Sequence, residues 1–252
     1  MISRRNILRM VLAGAVGWGG LARDLWASRF PHFYFGQLQY RGGEWDPNPF
    51  FVKPIVEELE LRTSIDAERQ RRLYHPADRD LFFCPFLYMA GRYEFHPFSP
   101  MERETLRRFL LHGGFLFVED TMGLKGFGFD RAFRRELKAI LPRHELKRLP
   151  PDHSAYRSFY LIDSVGGRQK VSPYFEGITL DTWTPVIYSQ NDLSGAWSKD
   201  RYGKWMHECV PGGEAQRAAA FKAGINLIVY SLTSDYKKDL IHHPFIQRRQ
   251  NL

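Results

Sequence analysis

SPMERETLRRFLLHGGFLFVED, residues 99–120, holds a complete helix and the strand that follows it. Ser99, Pro100 and Glu102 form a capping box with proline at the first helical position. In such a box the serine hydroxyl accepts from the N–H of Glu102, and the glutamate reaches back to the N–H of Ser99. Leu106, Phe109 and Leu110 fall on one helical face, and Gly113-Gly114 ends the helix. Phe115 to Val118 is then an unbroken apolar run closed by Glu119-Asp120. A strand without polar alternation is buried on both faces, the condition of a parallel strand covered by helices.

The same pattern extends in both directions. Upstream, Phe33 to Tyr40 reads as a first strand, and Asn48-Pro49 as the cap and first residue of a helix running to about Thr63, kinked at Pro54. Leu81 to Met89 is a second apolar strand, in which Pro85 demands a bulge or an edge position. Downstream, Asp130 caps a helix that stops before Pro142. Two short strands flank Asp181-Thr182-Trp183 within 178–188, and Ala215 to Leu232 is a long helix. Strands alternating with helices predict an α/β domain over residues 30–234, a mostly parallel sheet with helices on both faces. Residues 235–252 read as a polar, basic tail.

At the N-terminus, SRRNILR (3–9) fits the twin-arginine export consensus, and a short Gly/Ala-containing apolar stretch follows it. That stretch is too short and too glycine-rich for a comfortable membrane span. Residues 1–29 are therefore expected to be a twin-arginine signal peptide, engaged by the twin-arginine translocase, or an uncleaved N-terminal anchor. Leu25-Trp26-Ala27 is a poor cleavage site, so both fates stand. The expected location is the periplasm or beyond, with anchoring to the inner membrane as the variant. The route carries folded proteins with and without cofactors, and the residues name no cofactor.

The formal net charge is +8, but Arg4, Arg5, Arg9 and Arg23 against Asp24 place three of those charges in the signal region. The rest is partly local, where Arg131, Arg134, Arg135, Lys138, Arg143, Lys147 and Arg148 outweigh Asp130, Glu136 and Glu145, a solvated face or one suited to anionic lipid. No nucleic-acid motif accompanies it, and nucleic acid is not expected as a partner. Twenty Phe, twelve Tyr and six Trp suit a core first and a sugar or peptide cleft second. Cys84 and Cys209 fit neither a metal knuckle nor a redox pair. Cys84, inside an apolar run, reads as a buried small residue in preference to one half of a disulfide with Cys209.

LYMAGR (87–92), HGGFLFVED (112–120), FDRAFRREL (129–137), LPPDHSAYRSFY (149–160) and SQNDLSGAW (189–197) occur in that order. Over residues 32–232 the chain so resembles the bacterial domain-of-unknown-function family 4159. The resemblance implies a flavodoxin-like or class I glutamine amidotransferase-like α/β fold and no particular activity. In true amidotransferases a cysteine sits on a tight strand-to-helix elbow. The corresponding position after strand 115–118 is Glu119-Asp120-Thr121-Met122-Gly123, with neither Cys nor Ser, which argues against glutaminase activity.

In open α/β sheets, ligands bind beyond the carboxyl ends of the strands. That rule nominates Tyr40, Arg41, Glu44 and Trp45, then Arg92, Tyr93 and Glu94, then Glu119, Asp120 and Thr121, and finally Ser189, Asn191 and Asp192. His153 is the best base in the loops. Asp120 and His153 could activate water, with Arg92 or Arg41 holding an anionic group, or could join Asp192 around a divalent metal. The plainer reading makes these residues caps and turns. GLKGFG (123–128) reads as a flexible loop in preference to a phosphate loop. Three functions compete on this reading. The first is an exported domain binding a small polar or carbohydrate-like ligand, or a partner protein. The others are a periplasmic hydrolase and a structural subunit of an envelope complex.

Overall fold

A computed structural model describes residues 33–250, with side chains over 33–233. The twin-arginine motif and the side chains of the basic tail lie outside these. The strands are β1 (Gly36–Leu38), β2 (Arg72–Tyr74), β3 (Leu87–Gly91), β4 (Leu116–Asp120), β5 (Lys147–Arg148), β6 (Glu176–Leu180) and β7 (Trp183–Ser189). The helices are α1 (Val52–Arg62), α2 (Pro100–Leu111), α3 (Gly128–Ile140), α4 (Leu193–Trp197) and α5 (Gly213–Gln250). All seven strands form one sheet in the order β2-β1-β3-β4-β7-β6-β5. The first five in that order run parallel, and β6 and β5 extend the sheet antiparallel.

The two apolar faces explain why the central strands lack alternation. Leu116 and Val118 of β4 share one cluster with Leu106, Phe109 and Leu110 of α2 and Phe133 and Leu137 of α3. Phe115 and Phe117 point the other way, Phe115 onto Tyr230 of α5 and Phe117 onto Phe86 and Tyr88. On that second face Phe51 packs against both Tyr88 and Trp197 of α4. The predicted α/β sheet with helices on both faces is the architecture observed.

The capping box at Ser99 is present as predicted, with both reciprocal bonds formed. Other boundaries differ. Asn48-Pro49 does not open a helix; α1 starts at Val52, and Phe51 at its cap position makes no side-chain bond. Pro54 falls in the first turn, where an N–H has no intrahelical partner to lose, so no kink is required. Pro85 needs no bulge, because a 3-10 turn over Arg79–Phe83 precedes it and β3 begins only at Leu87. Cys84 and Cys209 are both free and buried. The arginines of α3 are neutralised locally. Arg131 and Arg135 pair with Glu94, and Arg134 pairs with Asp130 and Glu176. Among the described residues no helix is long and apolar enough to cross a membrane.

β1 leads outward to β2, whereas β3, β4 and β7 build the sheet in the opposite direction, so the strand order reverses between β1 and β3. The carboxyl ends flanking that reversal approach closely at Gly91. A Cβ there would stand 2.2 Å from Tyr40 Oη and 2.3 Å from Phe129 Cδ2. We expect Gly91→Ala to cost about 1–3 kcal/mol, the range for overpacking a filled core. Urea denaturation at neutral pH checks this, and a change under about 0.5 kcal/mol would mean that the neighbouring rings yield freely.

Candidate functional site

Three strand ends lie flush. Ala90 of β3 pairs with Glu119 of β4, and Glu119 pairs with Ser189 of β7. After β7 the chain turns sharply into α4 through Asp192, whose φ of 58° and ψ of 62° are left-handed. A non-glycine residue in that conformation is strained and persists only when its surroundings hold it. Here they do so through the side chain. Asp192 Oδ1 accepts from the N–H of Gly195 at 3.0 Å and from Asn48 Nδ2 at 2.7 Å, while Oδ2 is bonded by Arg168 Nε. Gly195 must lack a side chain, since a Cβ would lie 2.4 Å from Asp192 Oδ2.

Beneath this turn stands a second buried carboxyl. Glu119 Oε1 accepts from the N–H of Leu193 at 2.5 Å, and Oε2 accepts from Ser194 N at 3.1 Å and from Tyr88 Oη at 2.8 Å. Ser194 Oγ lies 2.7 Å from Tyr88 Oη and accepts from Asn48 Nδ2 at 2.9 Å. Burial, reinforced by the nearby Asp192 charge, pushes the Glu119 carboxyl up to about 7 despite the N–H groups aimed at it.

The rim is cationic. Arg168 ties its Nη2 to the carbonyl of Thr121 at 2.9 Å, and Arg92 pairs with Glu44 at 3.3 Å and donates to the carbonyl of Pro47. His207, on the loop before α5, lies within electrostatic reach of Asp192, Arg168, Arg92 and Arg217. Partial burial is the main reason its imidazole is held below the usual range, and the three guanidinium groups add to the effect.

The structure thus gathers Glu119, Thr121, Ser189, Asn191, Asp192, Arg92 and Glu44 at one end of the sheet. Asn191 is internal, its Oδ1 accepting from the N–H groups of Val171 and Ser172. Tyr40 bonds the carbonyls of Ala90 and Glu44. Trp45 packs partly buried at the core margin beneath Arg71. Arg41 is exposed and turns to Glu102 of α2 at 3.7 Å.

Asp120 and His153 are not brought together. Asp120 is buried and accepts from the N–H groups of Met122 and Leu124. His153 bonds Thr184 Oγ1 at 2.9 Å, near the start of β7. By the strand register Thr184 lies six residues below the level of Asp120, about 20 Å at the rise of a strand. The water-activating pair and the shared metal site therefore lack their geometry. Among the described residues, no group of three or more His, Cys, Asp or Glu side chains could hold a metal ion. The tight strand-to-helix turn is also not where the sequence placed it. It follows β7 and carries Asp192, whereas β4 leads into the longer loop 121–127.

Asn48, Tyr88, Arg168, Ser194 and His207 are the site residues that sequence reasoning missed. Ser194 lies inside the SQNDLSGAW motif, but nothing in spacing or periodicity marks Arg168 or His207.

Residues 34–232 match the family described as Domain of unknown function (DUF4159), nearly four-fifths of the chain and all seven strands. The chain belongs to this family. No curated protein matches it. In this DUF4159 domain the turn after β7 thus carries an aspartate whose two oxygens are already bonded.

Glu119 supplies a direct test of the buried network. Its carboxyl is raised in the fold from 4.5 to about 7, so between those values the folded state holds a proton that the unfolded chain has released. Stability from this group is complete below pH 4.5, falls as pH rises through the window, and levels off above 7. Glu119→Gln should therefore remove a stability loss of up to a few kcal/mol between pH 5 and 8, read as the difference between the two proteins in urea melts. Parallel pH profiles for wild type and variant would contradict this.

Proposed function

We propose that this DUF4159 domain is a non-catalytic binding module of the bacterial envelope, exported by the twin-arginine route, which takes up an anionic group at the carboxyl ends of its parallel strands. The observation that carries the reading is the convergence of arginines around an Asp192 that is already satisfied: Arg168 and Asn48 bond its carboxylate, and Arg92 donates to the carbonyl of Pro47, the chain neighbour of Asn48, with His207 within electrostatic reach. Arg168 spends Nε and Nη2 inward, and Arg92 spends Nη1 and Nη2. This leaves Nη1 of Arg168 and Nε of Arg92 without a protein partner among the described residues. Guanidinium groups with donors to spare are suited to carboxylate, phosphate or sulfate. The location agrees with the general rule for open α/β sheets.

Support for a non-catalytic role comes from the elbow. A nucleophile must be exposed and placed beside a base, whereas Asp192 and Ser194 are fully buried among hydrogen-bond donors. The hydrolytic alternative relied on Asp120 and His153, which stand at opposite ends of β4 and β7. The envelope location rests on the SRRNILR motif alone.

An anion near His207 favours its protonated form, so binding takes up a proton and strengthens as pH falls, provided that the anion itself stays charged. Calorimetric titration with sulfate should therefore show tighter binding at pH 5.5 than at 7.5. His207→Gln should flatten this dependence. Arg92→Met, which gives up the pairing with Glu44 and the bond to the Pro47 carbonyl, should weaken binding about five- to tenfold, corresponding to about 1 kcal/mol. Sulfate affinity indifferent to both substitutions would sink the proposal, as would turnover of ester or amide substrates.

A further inference from the structure

The loop that joins β4 to α3 crosses between the two arginines of the anion site. At its start the Thr121 carbonyl accepts from Arg168. At its end Gly128 packs so closely that a Cβ would lie 3.0 Å from the carbonyl oxygen of Arg92 and 3.8 Å from Tyr93 Cα. Gly123, near its middle, would likewise meet Val171 Cγ2 at 2.6 Å.

This segment, GLKGFG with its flanks, reads as a flexible loop in the sequence. Its backbone is instead pinned by two buried carboxylates. Asp120 accepts from the N–H groups of Met122 and Leu124, Asp130 accepts from Gly126 at 2.6 Å, and Phe127 N–H donates to the Leu124 carbonyl. Asp130 is itself fixed by Tyr188 Oη at 2.6 Å and by Arg134. A loop held this firmly could fold its large side chains inward, yet Leu124 is 53% and Phe127 67% exposed, with Tyr93 and Val171 exposed beside them. Isolated surface hydrophobics need no explanation, but a contiguous set on a rigid loop marks a contact surface.

Resting on the anion reading above, we propose that the ligand is an amphiphilic anion, a single carboxylate or phosphate head carrying an acyl-type apolar chain. The head lies between Arg92, Arg168 and His207, and the chain lies over Met122, Leu124 and Phe127. Charge and apolarity are complementary in the order required, cations at the strand ends and an apolar shelf immediately beyond them. Lys125, exposed on the same loop, extends the positive field outward.

The test uses the full chain and three soluble probes, octanoate, acetate and octanol, with binding followed by calorimetry. Octanoate should bind about tenfold or more tighter than acetate, since each methylene removed from water adds to affinity, and octanol should bind far more weakly than octanoate. Replacing both exposed side chains (Leu124→Ser with Phe127→Ser) should collapse the octanoate-to-acetate ratio towards one, with an unchanged melting temperature showing that the fold survives. Equal affinity for octanoate and acetate would overturn the amphiphile while leaving the anion site standing. Binding of neither would defeat the anion site itself. Octanol binding as tightly as octanoate would reduce the shelf to a general apolar patch and overturn the proposal. Vesicles of phosphatidylglycerol supply the last arm. Binding that octanoate displaces identifies a lipid head group as the source, whereas vesicle binding without octanoate binding makes the loop a membrane-docking element and overturns the ligand.

Discussion

Glu119 reaches from the carboxyl end of β4 to two backbone N–H groups of α4, with its own side chain fully buried. The first N–H groups of a helix have no partner inside it and carry the positive end of its dipole, so a carboxyl group placed there satisfies both needs. α4 has only five residues and could not hold its place by helix propensity alone. Fixing its start fixes its far end, where Trp197 lies against Phe51 and meets α5 at Gly224, where a Cβ would stand 2.4 Å from the indole. The same fixation sets Asp192, and through Asp192 it sets Arg168 and the Thr121 carbonyl. Two carboxyl groups so close repel one another, and the repulsion is resolved unequally. Asp192 receives the guanidinium, whereas Glu119 is pushed towards its neutral form.

Residues 119 and 120 are chain neighbours with opposite duties. Successive side chains of a strand point to opposite faces, so the Glu-Asp pair at the end of β4 is divided by the sheet itself. Glu119 serves the α4 side and organises the turn after β7. Asp120 serves the α3 side and organises the loop after its own strand, with Asp130 completing the task from within α3. Each carboxyl accepts backbone N–H groups, and burial raises the pKa of both Glu119 and Asp120. Neither is free for acid–base chemistry without releasing the segment it holds.

The fold was legible because its signals are local. The capping box at Ser99, the glycine pair after it and the apolar run from Phe115 each act within a few residues, and helix α2 and strand β4 appear where those signals put them. Asn48 shows where local reading stops. Its type and the proline after it suit a helix start, but Asp192 and Ser194, about 145 residues away in the chain, bond its amide in the interior. Asp120 and His153 fail for the same reason. The rule that ligands gather at strand ends follows Asp120 to the end of β4, but it says nothing of a histidine in a later loop, which the fold sends to the opposite end. β2 and β5, of three and two residues, carry too little pattern to be seen and exist because neighbouring strands offer them partners.

Arg168 and Arg41 differ in what each offers to the proposed anion site, and the difference favours the β3, β4 and β7 side of the crevice. Both arginines stand near the strand ends, and on charge alone they are equivalent. Arg41 keeps 74% of its side chain exposed and touches Glu102 only at 3.7 Å, so an anion would have to pay to order four rotatable bonds. Arg168 is already held at two points, by a buried carboxylate and by a backbone carbonyl. A guanidinium anchored on its inner edge offers its outer edge in a fixed plane, so little side-chain freedom remains to be lost when a ligand arrives. In the proposed site Asp192 therefore acts on recognition without touching the ligand. By satisfying the inner edge of Arg168 it neutralises part of the charge and fixes all of the direction, and direction distinguishes a site from a basic surface.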